Sequence, residues 1–144
     1  MRYILLGPPG AGKGTVAIRL SATLGIPHVS TGNMFREAMS SGSELGRLAE
    51  SFIGKGNLVP DEVTVEIVKE RLSRPDARSG FILDGFPRTT PQARALDGIL
   101  SGLGAVLDGV VYMKVSAEIV LRRLSRRLIC RDCGEIYNLD TMPP

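Results

Sequence analysis

Ten residues, GPPGAGKGTV from Gly7 to Val16, constrain this chain more than any other stretch. They follow directly on RYILL, a short apolar run that ends in glycine and reads as a buried strand. Beyond the loop, Val16, Leu20 and Leu24 recur at helical spacing until Gly25 and Pro27 stop the pattern. Gly7, Gly12 and Lys13 satisfy G-x-x-x-x-G-K between a strand and a helix, the context in which that spacing builds a phosphate cradle. Glycines let consecutive backbone N–H groups turn inward, the helix N-terminus adds positive potential, and Lys13 reaches the outer phosphates. A nucleoside triphosphate is the natural guest. The strict pattern wants a hydroxyl at position 14 to ligate Mg²⁺, but Gly14 stands there and Thr15 comes one residue late. The metal is then expected to be held by nucleotide oxygens, water and a carboxylate from elsewhere, which suits an ion that keeps several waters. Asp84 is the carboxylate expected in that role, because it ends the strand FILD and ligands gather at the carboxyl ends of strands in doubly wound sheets.

The rest of the chain continues the alternation. PHVS reads as a second short strand, after which Ser30 or Thr31 caps a helix running to about Ser41. SELGRLAESFIG reads as a further helix closed by glycine, with KGNLVP as the loop behind it. Pro60, Asp61 and Glu62 open another helix, on which Val65, Val68 and Leu72 share a face. The strand FILD lies between Gly80 and Gly85, a helix carrying Leu96, Ile99 and Leu100 begins near Thr90 and Pro91, and VVYMKV is a third long apolar run, followed by a helix that Ser116 opens. Apolar strands alternating with helices predict an α/β fold, a three-layer doubly wound parallel sheet wrapped on both faces.

Composition adds limits. The chain has 144 residues, ordinary single-domain length, and no apolar run approaches the roughly 18 residues that span a bilayer. The apolar start is too short for a secretory signal, so a cytoplasmic protein is expected. Among 18 basic residues, 14 are arginine, whose planar fork suits bidentate contact with phosphate. Five of them fall between Arg122 and Arg131, where the plain reading is a solvated helix face. Cys130 and Cys133, in CRDCG, are spaced for half of a metal site or a redox pair rather than a structural disulfide.

GPPGAGKGT is the substituted form GxPGxGKGT, and it resembles the adenylate kinase family and its nucleoside monophosphate kinase relatives. The resemblance implies that Gly10, Ala11, Gly12, Lys13, Gly14 and Thr15 hold ATP. STGNMFR resembles the family's Thr-Gly...Arg segment and implies Thr31, Gly32 and Arg36 at the monophosphate nucleotide. GNLVPDE resembles the segment that lines the adenine of AMP, implicating Asn57, Leu58 and Val59. LDGFPRTTPQA is close to the family signature, and by resemblance Gly85, Phe86, Pro87 and Arg88 touch AMP while Gln92 reads its base. The implied reaction is reversible transfer of the ATP γ-phosphoryl group to AMP, with Mg²⁺ accompanying ATP and two ADP as product. Catalysis would rest on Lys13, Arg88, Arg123, Arg127 and Asp84. An acceptor such as UMP or CMP keeps the same chemistry and is one alternative; a shortened, nucleotide-binding fragment with little activity is the other.

General chemistry is consistent with this. Transfer between two nucleotides needs no protein nucleophile, because an acceptor phosphate attacks in line and the protein positions two polyanions and neutralises developing charge. No pairing of Ser, His and Asp is evident, and His28, the only histidine, lies in an apolar strand and is expected to be a packed structural residue. RRLSRRLICRDCGEIY resembles the start of the family's lid, which places Arg123 and Arg127 over ATP, and Cys130 and Cys133 look like the first knuckle of a zinc-bearing lid. A closed zinc site needs four ligands, and two are visible. The resemblance divides the chain into a core, 1–29 and 60–121, an AMP-binding helical insertion, 30–59, and a partial lid, 122–144; the family's last strand and helix are expected to be absent from this chain. A monomer that binds ATP, AMP and ADP, without nucleic acid or membrane, is expected. A guanine-nucleotide switch would carry an Asn-Lys-x-Asp string, which the chain lacks. A nucleic-acid module would need stacking aromatics, yet these make up 5% of the residues and tryptophan is absent.

Overall fold

The computed structural model describes residues 1–131, 136–140 and 143–144. Four parallel strands, β1 (Arg2–Leu6), β2 (His28–Ser30), β3 (Phe81–Asp84) and β4 (Gly109–Tyr112), stand in the order β2-β3-β1-β4. Parallel neighbours require crossovers, and helices supply them. From β1 the chain passes through α1 (Lys13–Leu24) to β2, then through α2 (Thr31–Ser40), α3 (Glu44–Ile53), α4 (Asp61–Leu72) and a 3-10 turn (Pro75–Ala77) to β3. It then crosses to the other side of β1 through α5 (Thr90–Gly102), forms β4, and continues into α6 (Ala117–Ser125). This change of direction creates a topological switch point at the carboxyl ends of β1 and β3, where ligands collect in such sheets.

Alternation along the strands divides the core in two. Leu5 and Ile82 face α1, packing with Ala17 and Ile26. Ile4, Phe81, Leu83 and Val29 face the opposite way, toward Val68 and Leu72 of α4 and Leu96 and Leu100 of α5. The register pairs Leu5 and Ser30 with Asp84, so three strand ends align beside one carboxylate.

The helices begin where capping chemistry directs. Ser30 accepts from the Asn33 backbone N–H at 3.2 Å and Ser43 from that of Gly46 at 3.1 Å, each satisfying an otherwise orphan donor in a first turn. Ser116 sits at the N-cap of α6 without a side-chain cap bond.

Two expectations need correction. The run VVYMKV is a strand only to Tyr112, although the Met113 N–H still reaches the Leu6 carbonyl at 2.8 Å. The five arginines from Arg122 to Arg131 do not form one helix face: Arg122 and Arg123 end α6, Arg126 caps it, and Arg127 opens a short antiparallel pair, β5 (Arg127–Ile129) with β6 (Ile136–Asn138). Arg122 and Arg126 pair with Asp140 at 3.4 and 3.3 Å. Among the described residues, no helix is long and apolar enough to cross a membrane.

Candidate active site

The loop after β1 turns on glycines. Gly7, Gly10 and Gly12 have φ of 146°, 80° and 95°, values that side chains with a Cβ rarely adopt, and Gly12 is the N-cap of α1. The chain thereby curls around Lys13, whose Nζ donates to the Gly7 and Pro8 carbonyls at 2.9 and 3.0 Å. Burial pushes the Lys13 ammonium below its ordinary 10.5; Asp84 opposes the shift, and Arg88 and Arg127 add to it. One ammonium therefore lies within the electrostatic reach of three groups from three different segments. A cation so destabilised is a good receptor for an anion, which would relieve the repulsion.

Asp84 stands at the switch point, as the sequence predicts. Its Oδ2 lies 3.3 Å from the His28 Nε2, and both side chains are largely buried, 13% and 15% exposed. An ionised carboxylate only accepts, so the imidazole Nε2 carries the proton in this contact. His28 is packed, as expected, but it is also a partner of Asp84, which the sequence reading missed; a polar residue inside an apolar strand, facing the same side as Asp84, was the available signal. The same carboxylate accounts for the space at Gly14. A Cβ there would lie 3.7 Å from Asp84 Oδ2, so the carboxylate occupies the neighbourhood in which the strict loop pattern places a hydroxyl.

A second cationic centre forms where β2 gives way to α2. Thr31 is buried, its hydroxyl 3.4 Å from the Gly85 carbonyl, and it accepts from Arg88 Nη2 at 3.2 Å. Arg88 Nε donates to the same Gly85 carbonyl at 2.7 Å. Gly85 is obligatory here, because its φ is 84° and a Cβ would come 2.6 Å from Thr31 Oγ1 and 3.1 Å from Arg88 Nη2. Arg36 reaches back along α2 to bond Asn33, with its guanidinium over Gly32, 3.5 Å from where a Cβ would stand. Thr31, Gly32, Arg36, Gly85 and Arg88 are thus brought together.

Other expected residues sit differently. The Phe86 side chain is wholly buried in the core, and a cis peptide bond joins it to Pro87. Asn57 and Leu58 are exposed in the loop before α4, Leu58 at 90%, while Val59 is half-buried against the core. Gln92 is 5% exposed, with its carboxamide engaged on both sides: Oε1 accepts from the Arg88 backbone N–H at 2.7 Å, and Nε2 donates to Asp61 Oδ1 at 2.7 Å. Asp61 was read from the sequence only as a helix opener. The signal for more lay in Thr89-Thr90-Pro91-Gln92, a capping-box spacing; Thr89 Oγ1 does accept from the Gln92 N–H at 3.2 Å.

Arg123 donates to the carbonyls of Gly10 and Ala11 at 3.2 and 3.3 Å, which seats the end of α6 on the phosphate loop. Gly10 makes room for this, since a Cβ would come 3.3 Å from Leu124. Arg127 is exposed at the start of β5. Cys130 is half-buried directly after that strand, whereas Cys133 lies outside the described residues. Among the described residues, no group of three His, Cys, Asp or Glu side chains is placed to hold a metal ion.

Comparison with known proteins agrees with this geometry. Residues 5–142 match the family model described as adenylate kinase. The chain is 58% identical over 144 residues to an adenylate kinase of Thermosipho melanesiensis, covering 100% of this chain and 67% of that protein. It is 56% identical to one of Moorella thermoacetica and 54% to one of Archaeoglobus fulgidus, in each case over the whole of this chain and 66% of the relative. It thus spans about two thirds of the length of these relatives. A phosphate loop with glycine in place of the usual hydroxyl, a carboxylate beside it, a separate arginine centre on the next strand's end, and this identity lead to one assignment: the chain belongs to the adenylate kinase family.

Proposed function

We propose that this chain carries the nucleotide-binding machinery of an ATP:AMP phosphotransferase, which moves the γ-phosphoryl group of ATP reversibly to AMP and yields two ADP. The observation that carries the reading is that Asp84 borders both centres: its carboxylate lies 3.7 Å from where a Cβ of Gly14 on the phosphate loop would stand, and the next residue, Gly85, accepts from Arg88 at 2.7 Å. In this reading the amides of Gly10 to Thr15 and Lys13 hold the phosphates of ATP. Arg88 and Arg36 hold the phosphate of AMP, with Thr31, Gly32 and the Gly85–Pro87 backbone shaping its seat. Asn57, Leu58 and Val59 line the adenine and Gln92 reads it.

The chemistry asks little covalent work of the protein. An oxygen of the AMP phosphate attacks the γ-phosphorus in line, and ADP leaves. Positioning the two anions against their mutual repulsion is the larger task, and arginines and a lysine perform it. Mg²⁺ enters with ATP as part of the substrate and neutralises phosphate charge; Asp84, held by His28, is the carboxylate that would meet its hydration shell. Arg123, exchanging the loop carbonyls for phosphate oxygens, and Arg127 would close from above, and closure would exclude water that could otherwise hydrolyse ATP.

The domain reading divides the chain into a core, 1–29 and 60–121, an AMP-binding insertion, 30–59, and part of a lid, 122–144. A structural Zn²⁺ in that lid would take Cys130 and Cys133 among four ligands, and no step of the transfer passes through it. The protein is read as a monomer, since both nucleotide sites come from one chain. Its place is read as the cytoplasm, where thiols at this spacing serve metals rather than disulfides.

Steady-state kinetics on the intact protein test the assignment. Lys13→Met should lower kcat/KM for MgATP by about 10² to 10³, the scale of losing one charge-stabilising donor. Arg88→Lys should act chiefly on AMP, with the KM for MgATP little changed. If UMP or CMP supports turnover and AMP does not, the acceptor is wrong while the chemistry stands; unaltered kinetics in both variants would remove the reading altogether.

A further inference from the structure

Two hydrogen bonds tie the start of α4 to the start of α5, and two more brace the α5 side of the network. Asp61 Oδ1 accepts from Gln92 Nε2 and Asp61 Oδ2 accepts from Thr89 Oγ1, both at 2.7 Å. Thr89 Oγ1 accepts from the Gln92 N–H at 3.2 Å, and Gln92 Oε1 accepts from the Arg88 N–H at 2.7 Å. The network fixes a detail that is seldom fixed, namely which end of a carboxamide is oxygen. Turning the Gln92 amide over would set its NH₂ against the Arg88 N–H, donor against donor, and its oxygen against the Asp61 carboxylate, acceptor against acceptor. Both neighbours enforce one orientation, and the charged one enforces it more strongly.

In that orientation the amide retains one N–H and one lone pair beyond these bonds. Such a pair complements a purine that offers an acceptor next to an amino group, as adenine does at N1 and N6. Hypoxanthine has the same outline but the opposite polarity, an N–H at N1 and a carbonyl at C6. To pair with it, the amide would have to turn over. We infer that Asp61 is a positioning residue which, by locking the Gln92 carboxamide through its carboxylate, sets the preference of the acceptor site for 6-amino over 6-oxo purine monophosphates. This rests on the proposed reading of Gln92 as the residue that meets the acceptor base.

Kinetics on the intact protein at saturating MgATP, with AMP and with IMP as acceptors, test it. Asp61→Ala should reduce the ratio of kcat/KM for AMP to that for IMP by about tenfold, the worth of one charged hydrogen bond. The KM for MgATP should not move. Asp61→Asn should keep the ratio, because its carbonyl can still accept from Gln92 while its NH₂ donates to Thr89. A structural role alone would not change a ratio between two acceptors of the same shape. Asp61→Ser is too short to span Thr89 and Gln92, and it gives the same readout if the alanine variant does not fold. Gln92→Leu separates the two ideas. If Gln92→Leu changes the ratio and Asp61→Ala or Asp61→Ser does not, the inference about Asp61 is overturned and the reading of Gln92 stands. If neither residue affects the ratio, Gln92 does not read the base, and the inference falls with that reading.

Discussion

Lys13 is a conflict that a ligand would resolve. Its side chain is partly withdrawn from water, donates to carbonyls of its own loop, and lies within the electrostatic reach of two guanidiniums. Because folding lowers its pKa below 10.5, the unfolded chain binds more protons between that lowered value and 10.5, so stability should rise with pH through this window. Urea unfolding of the parent and of Lys13→Met across the window checks the sign: the rise should shrink in the variant, and an identical slope would contradict the assignment. Most single residues of the site were legible because each does its work at a fixed spacing along the chain, as in the loop from Gly7 to Thr15. His28 beside Asp84, and Asp61 beside Gln92, were not. Those partners are 56 and 31 residues apart, and pairing over such distances has no local signature.

At the scale of elements, helices were read well because capping residues and apolar spacing are properties of a few consecutive positions. The β5–β6 pair was missed because two strands of three residues carry no usable period. One glycine shows how context reverses propensity. Glycine in a helix interior is ordinarily worse than alanine by about 1 kcal/mol. Gly98 in α5 has nothing within 4 Å of an added Cβ, so Gly98→Ala should stabilise the protein by about 0.5 to 1 kcal/mol. Gly46 in α3 is different, since a Cβ would come 1.9 Å from the Ala38 carbonyl oxygen of α2. The two helices touch through that gap, and Gly46→Ala should cost about 3 kcal/mol. Thermal unfolding of the two variants should show shifts of opposite sign; shifts of one sign would mean that the α2–α3 contact is looser than described.

At the scale of the molecule, the sheet is well covered at one end and bare at the other. β2, β3 and β1 are buried between helices, whereas, among the described residues, β4 pairs with β1 alone and leaves Val110, Val111 and Tyr112 exposed at 52%, 44% and 66%. On α6, Ile119 and Leu121 are also exposed, at 45% and 69%. An apolar strand with one unpaired edge is a template for further pairing. The protein, read as a monomer when dilute, should therefore self-associate through this edge as its concentration rises, and Val111→Lys should suppress this. Sedimentation velocity over a concentration series reads the outcome, and a parent that stays monomeric throughout would contradict it.

The residues alone determined the fold class, the phosphate loop, the cationic centres and the family they belong to, because those depend on chemistry repeated at short intervals. Tertiary structure decided the rest. It set which carboxylate fills the space beside Gly14, which groups destabilise the charge on Lys13, and which way the Gln92 amide faces. Each of these depends on side chains that the sheet and its crossovers bring near one another, at separations where electrostatic and hydrogen-bond terms act and which no spacing along the chain encodes.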